Sequence, residues 1–135
     1  MTQTISRLNP ATLPDAAAAG YSQITTVEPG RLAFISGQVA WTRDGDPTPQ
    51  GLTEQAALVV KNAQAALAAV GAAASDVIMV RIYMVDLTPQ RLQELTPYLA
   101  TLFDGAQPSV TGVGVAALAA PDLELEIEMI VRLPA

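Results

Sequence analysis

The sequence predicts a two-layer α+β sandwich, a mixed sheet with two helices on one face. Three observations lead there. Residues 53–70 carry apolar residues at helical spacing, and residues 89–103 repeat that pattern. Between them lies the run VIMVRIYMV at 77–85, too apolar and β-branched to be a surface segment. Two further strand-like segments close the chain, and strands interleaved with two helices make a layered α/β domain. The 135 residues are read as one domain spanning 1–135.

Residues 1–20 read as irregular, with Pro10 and Pro14 bracketing a loop and an alanine run leading to Gly20. Ser22–Glu28 (SQITTVE) and Leu32–Ser36 (LAFIS) read as strands, and Pro29-Gly30 between them as the turn of a hairpin. Gly37 marks a bend or a close approach to the backbone, and Val39–Trp41 is a possible continuation of the sheet. Residues 42–51 (TRDGDPTPQG) form a polar loop.

Thr53 is an N-cap candidate with Glu54 placed to meet the helix dipole. Ala56, Val60, Ala63, Leu67 and Val70 form one helix face, which Gly71 ends, and Lys61 lies on the solvated side. Val77–Val85 is expected to be a strand buried on both faces. A second helix runs from Pro89 to Phe103 with Leu92, Leu95, Leu99 and Leu102 as its stripe; Pro97 inside it signals a kink or a fresh start. Strands at 110–118 and 123–132 follow, separated by a turn at Pro121.

Composition excludes much chemistry. The chain has no Cys and no His, so a Ser-His-Asp triad, a thiolate nucleophile and the common zinc sites are unavailable. Asp, Glu, Tyr and Lys remain for proton transfer. The net charge is −6, and Lys61 and the six arginines are scattered, which argues against nucleic acid as a partner. No apolar run is long enough for a membrane span and no signal peptide is evident, so a cytoplasmic location is expected. Half the residues are hydrophobic, and the sheet face left bare by the helices calls for a partner, most simply another copy of the chain.

Two segments attract attention as a site. In 110–118, Thr111, Val113, Val115 and Ala117 share one face, read as ordinary core. Val110, Gly112 and Gly114 share the other, where missing side chains suit either a pocket wall or tight packing of a neighbour. In the last strand Glu124, Glu126 and Glu128 share a face, with successive carboxylates roughly 7 Å apart. One of them, if buried among its neighbours, would titrate high enough to exchange protons near neutral pH, and the pattern does not say which.

At these residues the chain resembles the RidA family, also called YjgF, the reactive-intermediate deaminases. The resemblance rests on Gly20-Tyr21-Ser22-Gln23, Phe34-Ile35-Ser36-Gly37-Gln38, Ile82-Tyr83-Met84-Val85-Asp86-Leu87, the segment from Pro108 to Leu118, and Glu126-Ile127-Glu128. It implies a chorismate-mutase-like fold assembling as a homotrimer around a central barrel, with clefts between subunits. It also implies hydrolysis of enamines and imines without a cofactor or metal, on a small-molecule ligand; the alternatives are a non-catalytic trimer that binds a small ligand and, against the acidic charge balance, an endoribonuclease. By position, Tyr21 would line the cleft, Gly37 would offer backbone contacts and Glu126 would activate water. Tyr83 and Thr111 are further candidate contacts. The family's carboxylate-gripping arginine falls at Val110, and Gly112 replaces its usual cysteine. The resemblance is thus to an arginine-lacking branch, and it implies a substrate other than a 2-imino acid. Arg81, on the face of Tyr83, is a candidate substitute cation or a surface arginine paired with an acid.

Overall fold

The computed structural model describes residues 4–135. In chain order the elements are β1 (Ile5–Leu8), β2 (Ile24–Val27), β3 (Leu32–Gln38), α1 (Leu52–Ala69), β4 (Val77–Val85), α2 (Pro89–Phe103), β5 (Ser109–Val115) and β6 (Leu125–Arg132). A four-stranded mixed sheet has the order β3-β6-β4-β5, with β4 and β5 parallel and the other pairs antiparallel. Both helices cover one face. Ala56, Val59, Val60 and Ala63 of α1 and Leu95 and Leu102 of α2 meet Val80, Ile82 and Met84 of β4 and Leu125, Ile127, Met129 and Val131 of β6. No helix among the described residues is long and apolar enough to cross a membrane.

The hairpin expected at Pro29-Gly30 does not form. β2 pairs instead with β1, a strand inside the segment read as irregular, and β3 pairs with β6 from the far end of the chain. The Arg132 guanidinium fills the corner: it donates to Glu28 O at 3.1 Å and Pro29 O at 2.8 Å, and a Cβ on Gly30 would collide with it. β6 is also the better partner, because its inward row is fully buried whereas three of the four β2 residues are exposed. Burying each such side chain contributes roughly 1.5–3 kcal/mol.

Several boundaries move. β3 stops at Gln38, and Val39–Trp41 leaves the sheet. Helix α1 begins at Leu52 with Gly51 as N-cap at φ 100°, ahead of Thr53, because Leu52 belongs to the core. Its far end follows the sequence: Gly71 sits at φ 68° after Val70. Helix α2 runs unbroken through Pro97, opened by Thr88, whose hydroxyl accepts from Arg91 N at 3.1 Å, and by Pro89 in its first turn. Strand β4 is buried on its helix side alone, since Arg81 and Tyr83 point to the uncovered face. Strand β5 ends at Val115 and β6 starts at Leu125.

Candidate functional site

The uncovered sheet face is a grid of side chains set by strand register. Glu128 lies opposite Arg81, which pairs with Thr111; Glu126 lies opposite Tyr83, which pairs with Val113. Glu124 stands just before β6. The three glutamates are not equivalent. Arg91 donates to Glu124 through Nη2 at 2.9 Å. Glu128 accepts from the Tyr83 hydroxyl at 2.5 Å and lies 3.6 Å from Arg81 Nη1. Among the described residues, Glu126 has neither a hydrogen bond nor an ion pair, so both of its carboxylate oxygens remain available.

Gly37 explains where that carboxylate rests. The β3–β6 register breaks between Ile35 and Gln38, and the bulge brings the Gly37 backbone under Glu126. A Cβ there would strike the Glu126 carboxyl group. Glycine is therefore required for close approach, since its φ lies outside the left-handed region. The hydrogen bond to Glu128 holds the Tyr83 hydroxyl above its ordinary pKa, with partial burial and the Glu128 charge adding and Arg81 opposing. Phe34 stands at the edge of the grid, 72% exposed, beside a depression of about 450 Å³ that Ser36, Arg81 and Glu128 also line.

A second feature lies on the other side of the sheet. A cavity of about 570 Å³ opens between α2, β5 and the turn at 19–21. Tyr21, Val110 and Gly112 line it, together with Leu87, Leu92, Leu99 and Phe103. The Gly20–Gln23 motif builds its rim. Gly20 ends a short 3-10 turn at φ 87°, and Tyr21 then enters the cavity wall. Buried Ser22 donates from Oγ to Gln107 O at 2.6 Å, and its N–H reaches Pro108 O at 3.0 Å. Gln23 ties back to Asn9 and Pro14.

The candidate residues therefore fall into two groups on opposite sides of one sheet. Glu126, Gly37, Tyr83, Arg81 and Thr111 share the uncovered face; Tyr21, Val110 and Gly112 share the cavity. The reading of Thr111, Val113 and Val115 as core is corrected: this row faces outward, with Val113 38% exposed, and the glycine row faces the helices. The two glycines also differ. A Cβ on Gly112 would meet nothing within 4 Å, while one on Gly114 would sit 3.2 Å from Leu87 Cβ. Gly112 leaves space and Gly114 admits a neighbour. Leu92 and Leu99 of the α2 stripe wall the cavity, and Leu99 also packs against the core. Buried Gln55 was overlooked, although a glutamine inside the apolar spacing of α1 marked it. Among the described residues no group of three or more acidic or histidine side chains is arranged to hold a metal.

Known proteins share this fold. Residues 12–133 match the family described as Endoribonuclease L-PSP. A crystal structure from Yersinia pestis, YyfB of the conserved Rid protein family and of unknown function, superposes with a TM-score of 0.90 at 32% identity, covering 97% of this chain and 100% of that one. The RutC family protein YjgH of Escherichia coli is 34% identical over 108 residues, 80% of each chain. The yeast protein MMF1, mitochondrial, from Saccharomyces cerevisiae, is 29% identical over 126 residues, 91% of this chain and 84% of that protein. By the extent of the family match, the fold and these relatives, the chain belongs to the endoribonuclease L-PSP family, the RidA (YjgF) family that its motifs resemble.

Proposed function

We propose that the protein is a cofactor-free hydrolase of imines and enamines, working in clefts between the subunits of a homotrimer. The observation that carries this reading is the unpaired Glu126 carboxylate lying on the Gly37 backbone. Glu124 and Glu128 are held by Arg91, Tyr83 and Arg81, so Glu126 is the carboxylate left to hold a water. As the water oxygen attacks the C=N carbon, Glu126 takes its proton and passes it to the nitrogen. The resulting carbinolamine collapses to a carbonyl compound and expels ammonia or an amine; an enamine first takes a proton at carbon to become the imine.

Glu126 and the cavity lie on opposite sides of the sheet, so one cleft containing both needs two copies of the chain. The bare sheet face with Phe34 exposed supports that assembly. Tyr21 and Gly112 of one copy then face Glu126, Gly37 and Thr111 of the next. Valine at position 110 leaves the cavity without the arginine fork that grips a substrate carboxylate, which shifts the substrate away from 2-imino acids. Arg81 is bound loosely, 3.6 Å from Glu128, and contributes positive potential on the Glu126 side.

The test is disappearance of imines generated in place by amino-acid oxidases, alongside neutral N-substituted and cyclic imines, followed by semicarbazide trapping. The neutral imines are cleared faster than the amino-acid-derived ones, and Glu126→Gln slows clearance by roughly 10²–10⁴-fold, the usual contribution of a positioned general base. No acceleration of any imine, or an unchanged Glu126→Gln variant, removes the proposal.

A further inference from the structure

The cavity under α2 narrows the substrate further. We infer that it receives an uncharged apolar substituent of the ligand, an aryl or branched alkyl group, and that Gly112 sets the size admitted. This inference rests on the proposed hydrolase for its reaction, but not for binding.

Four observations lead to it. The volume of about 570 Å³ falls within the range of small-molecule sites, roughly 300–1,000 Å³. The walls are mostly apolar and uncharged: Leu92, Leu99 and Phe103 from α2, Leu87 from the turn before it, and Val110 from β5, with Thr96 and Gln107 as neutral polar residues among them. Leu92 belongs to the apolar stripe of its helix, yet is 39% exposed, while Leu95 of the same stripe is fully buried. Half of that stripe is therefore spent on lining a space. Tyr21 is the one titratable group among the lining residues, and among the described residues its hydroxyl makes no hydrogen bond. A charged group entering here would lose hydration without meeting a countercharge, whereas a single polar atom can bond to Tyr21.

Gly112 is the variable part of the wall. A Cβ added there would meet no protein atom within 4 Å, so a substituent at this position starts into the cavity. The rim is built firmly. Asp104, Gly105 and Gln107 adopt φ values of 47°, 78° and 53° in one turn, a cost for the two non-glycine residues. Ser22 Oγ holds the Gln107 carbonyl, and Gln107 Nε2 donates to Ala17 O at 3.2 Å. A strained turn pinned in this way keeps the cavity open.

The experiment measures calorimetric affinity for neutral ketones, which mimic the hydrolysis product, using methyl alkyl ketones of increasing length and acetophenone. Each added methylene tightens binding about fourfold until the cavity is filled. Acetophenone binds better than phenylglyoxylate, its carboxylate-bearing counterpart. Gly112→Leu weakens the longest ketones and acetophenone at least tenfold and spares the shortest, and Gly112→Ala has a smaller effect. Leu92→Ser, at a partly exposed position that tolerates a polar group, lowers the gain per methylene. Affinity indifferent to chain length, tighter binding of the carboxylate, or no binding because a second copy fills the cavity each overturns the inference. Ketone binding with this pattern but no imine turnover removes the hydrolase and leaves the inference standing. Imine turnover indifferent to substituent size does the reverse.

Discussion

Replacing Gln55 by leucine tests how the loop before α1 and the start of β6 are held. Gln55 is fully buried in the first turn of α1. Its Nε2 donates to Pro49 O at 3.0 Å and to Asp122 O at 2.7 Å, and its Oε1 accepts from Glu124 N at 2.8 Å. One side chain thus joins the 42–51 loop, the 116–124 connection and the strand that carries Glu126. Leucine has a similar volume, so packing changes little, but two carbonyls and one N–H lose their partner. A buried polar group left unpaired costs about 1–3 kcal/mol. Asp122 is exposed and Pro49 and Glu124 only half-buried, so water recovers part of the loss, leaving an expected destabilisation of about 2–4 kcal/mol. For a chain of this size that is a fall in Tm of roughly 10 °C. Thermal and urea unfolding, followed by circular dichroism at one fixed protein concentration, measures it. Gln55→Glu provides the control. Its carboxylate can accept but not donate, and in this buried place its folded pKa is raised. Its stabilising contribution is therefore present below the unfolded pKa and lost as pH rises through the folded value. The glutamate variant should regain stability on acidification relative to the leucine variant. A leucine variant within about 1 kcal/mol of the parent would refute the role assigned to these three hydrogen bonds.

Two other outcomes follow from the uncovered face. Gly37→Ala places a methyl group where the Glu126 carboxyl now lies, so imine clearance should fall toward that of Glu126→Gln, with a far smaller change in Tm; full activity would mean that the close approach is not needed. Tyr83 should ionise above the ordinary tyrosine range in an ultraviolet titration, and Glu128→Gln should bring it back down. Because its folded pKa is raised, the Tyr83 contribution to stability is intact below about pH 10 and is lost as pH rises through the folded value. A Tyr83→Phe variant that follows the parent stability curve through that window would count against the hydrogen bond.

Much of the molecule was legible from local pattern. The bounds of α2 follow from Pro89 and its leucine spacing, and Gly71 ends α1 by the left-handed conformation expected of it. The alternation of β6 separates Glu126 and Glu128 from a buried apolar row. The absence of histidine and cysteine removed whole classes of chemistry before any coordinates were needed.

Pairing was less legible. β1 has four residues and no apolar alternation, and it exists because β2 lies beside it. The apparent hairpin at Pro29-Gly30 gives way to the pairings β1–β2 and β3–β6, and Arg132, about a hundred residues away in the chain, occupies its corner. The facing of β5 failed for a related reason. A two-residue period separates two sides but does not say which is inward when one side holds valines and the other holds glycines. Only the position of α2 made the glycine side a cavity.

The sequence by itself determined the two helices, the strands from β2 onward and their order, the glutamate row and the limits on chemistry, because these depend on residues near one another in the chain. The tertiary structure decided which glutamate stays free, by bringing Arg91, Tyr83 and Arg81 to the other two. It also decided that Glu126 and the Tyr21 cavity lie on opposite sides of one sheet. Both outcomes are set by strand neighbours and helix placement, which join residues far apart in sequence and so leave no local periodic signal.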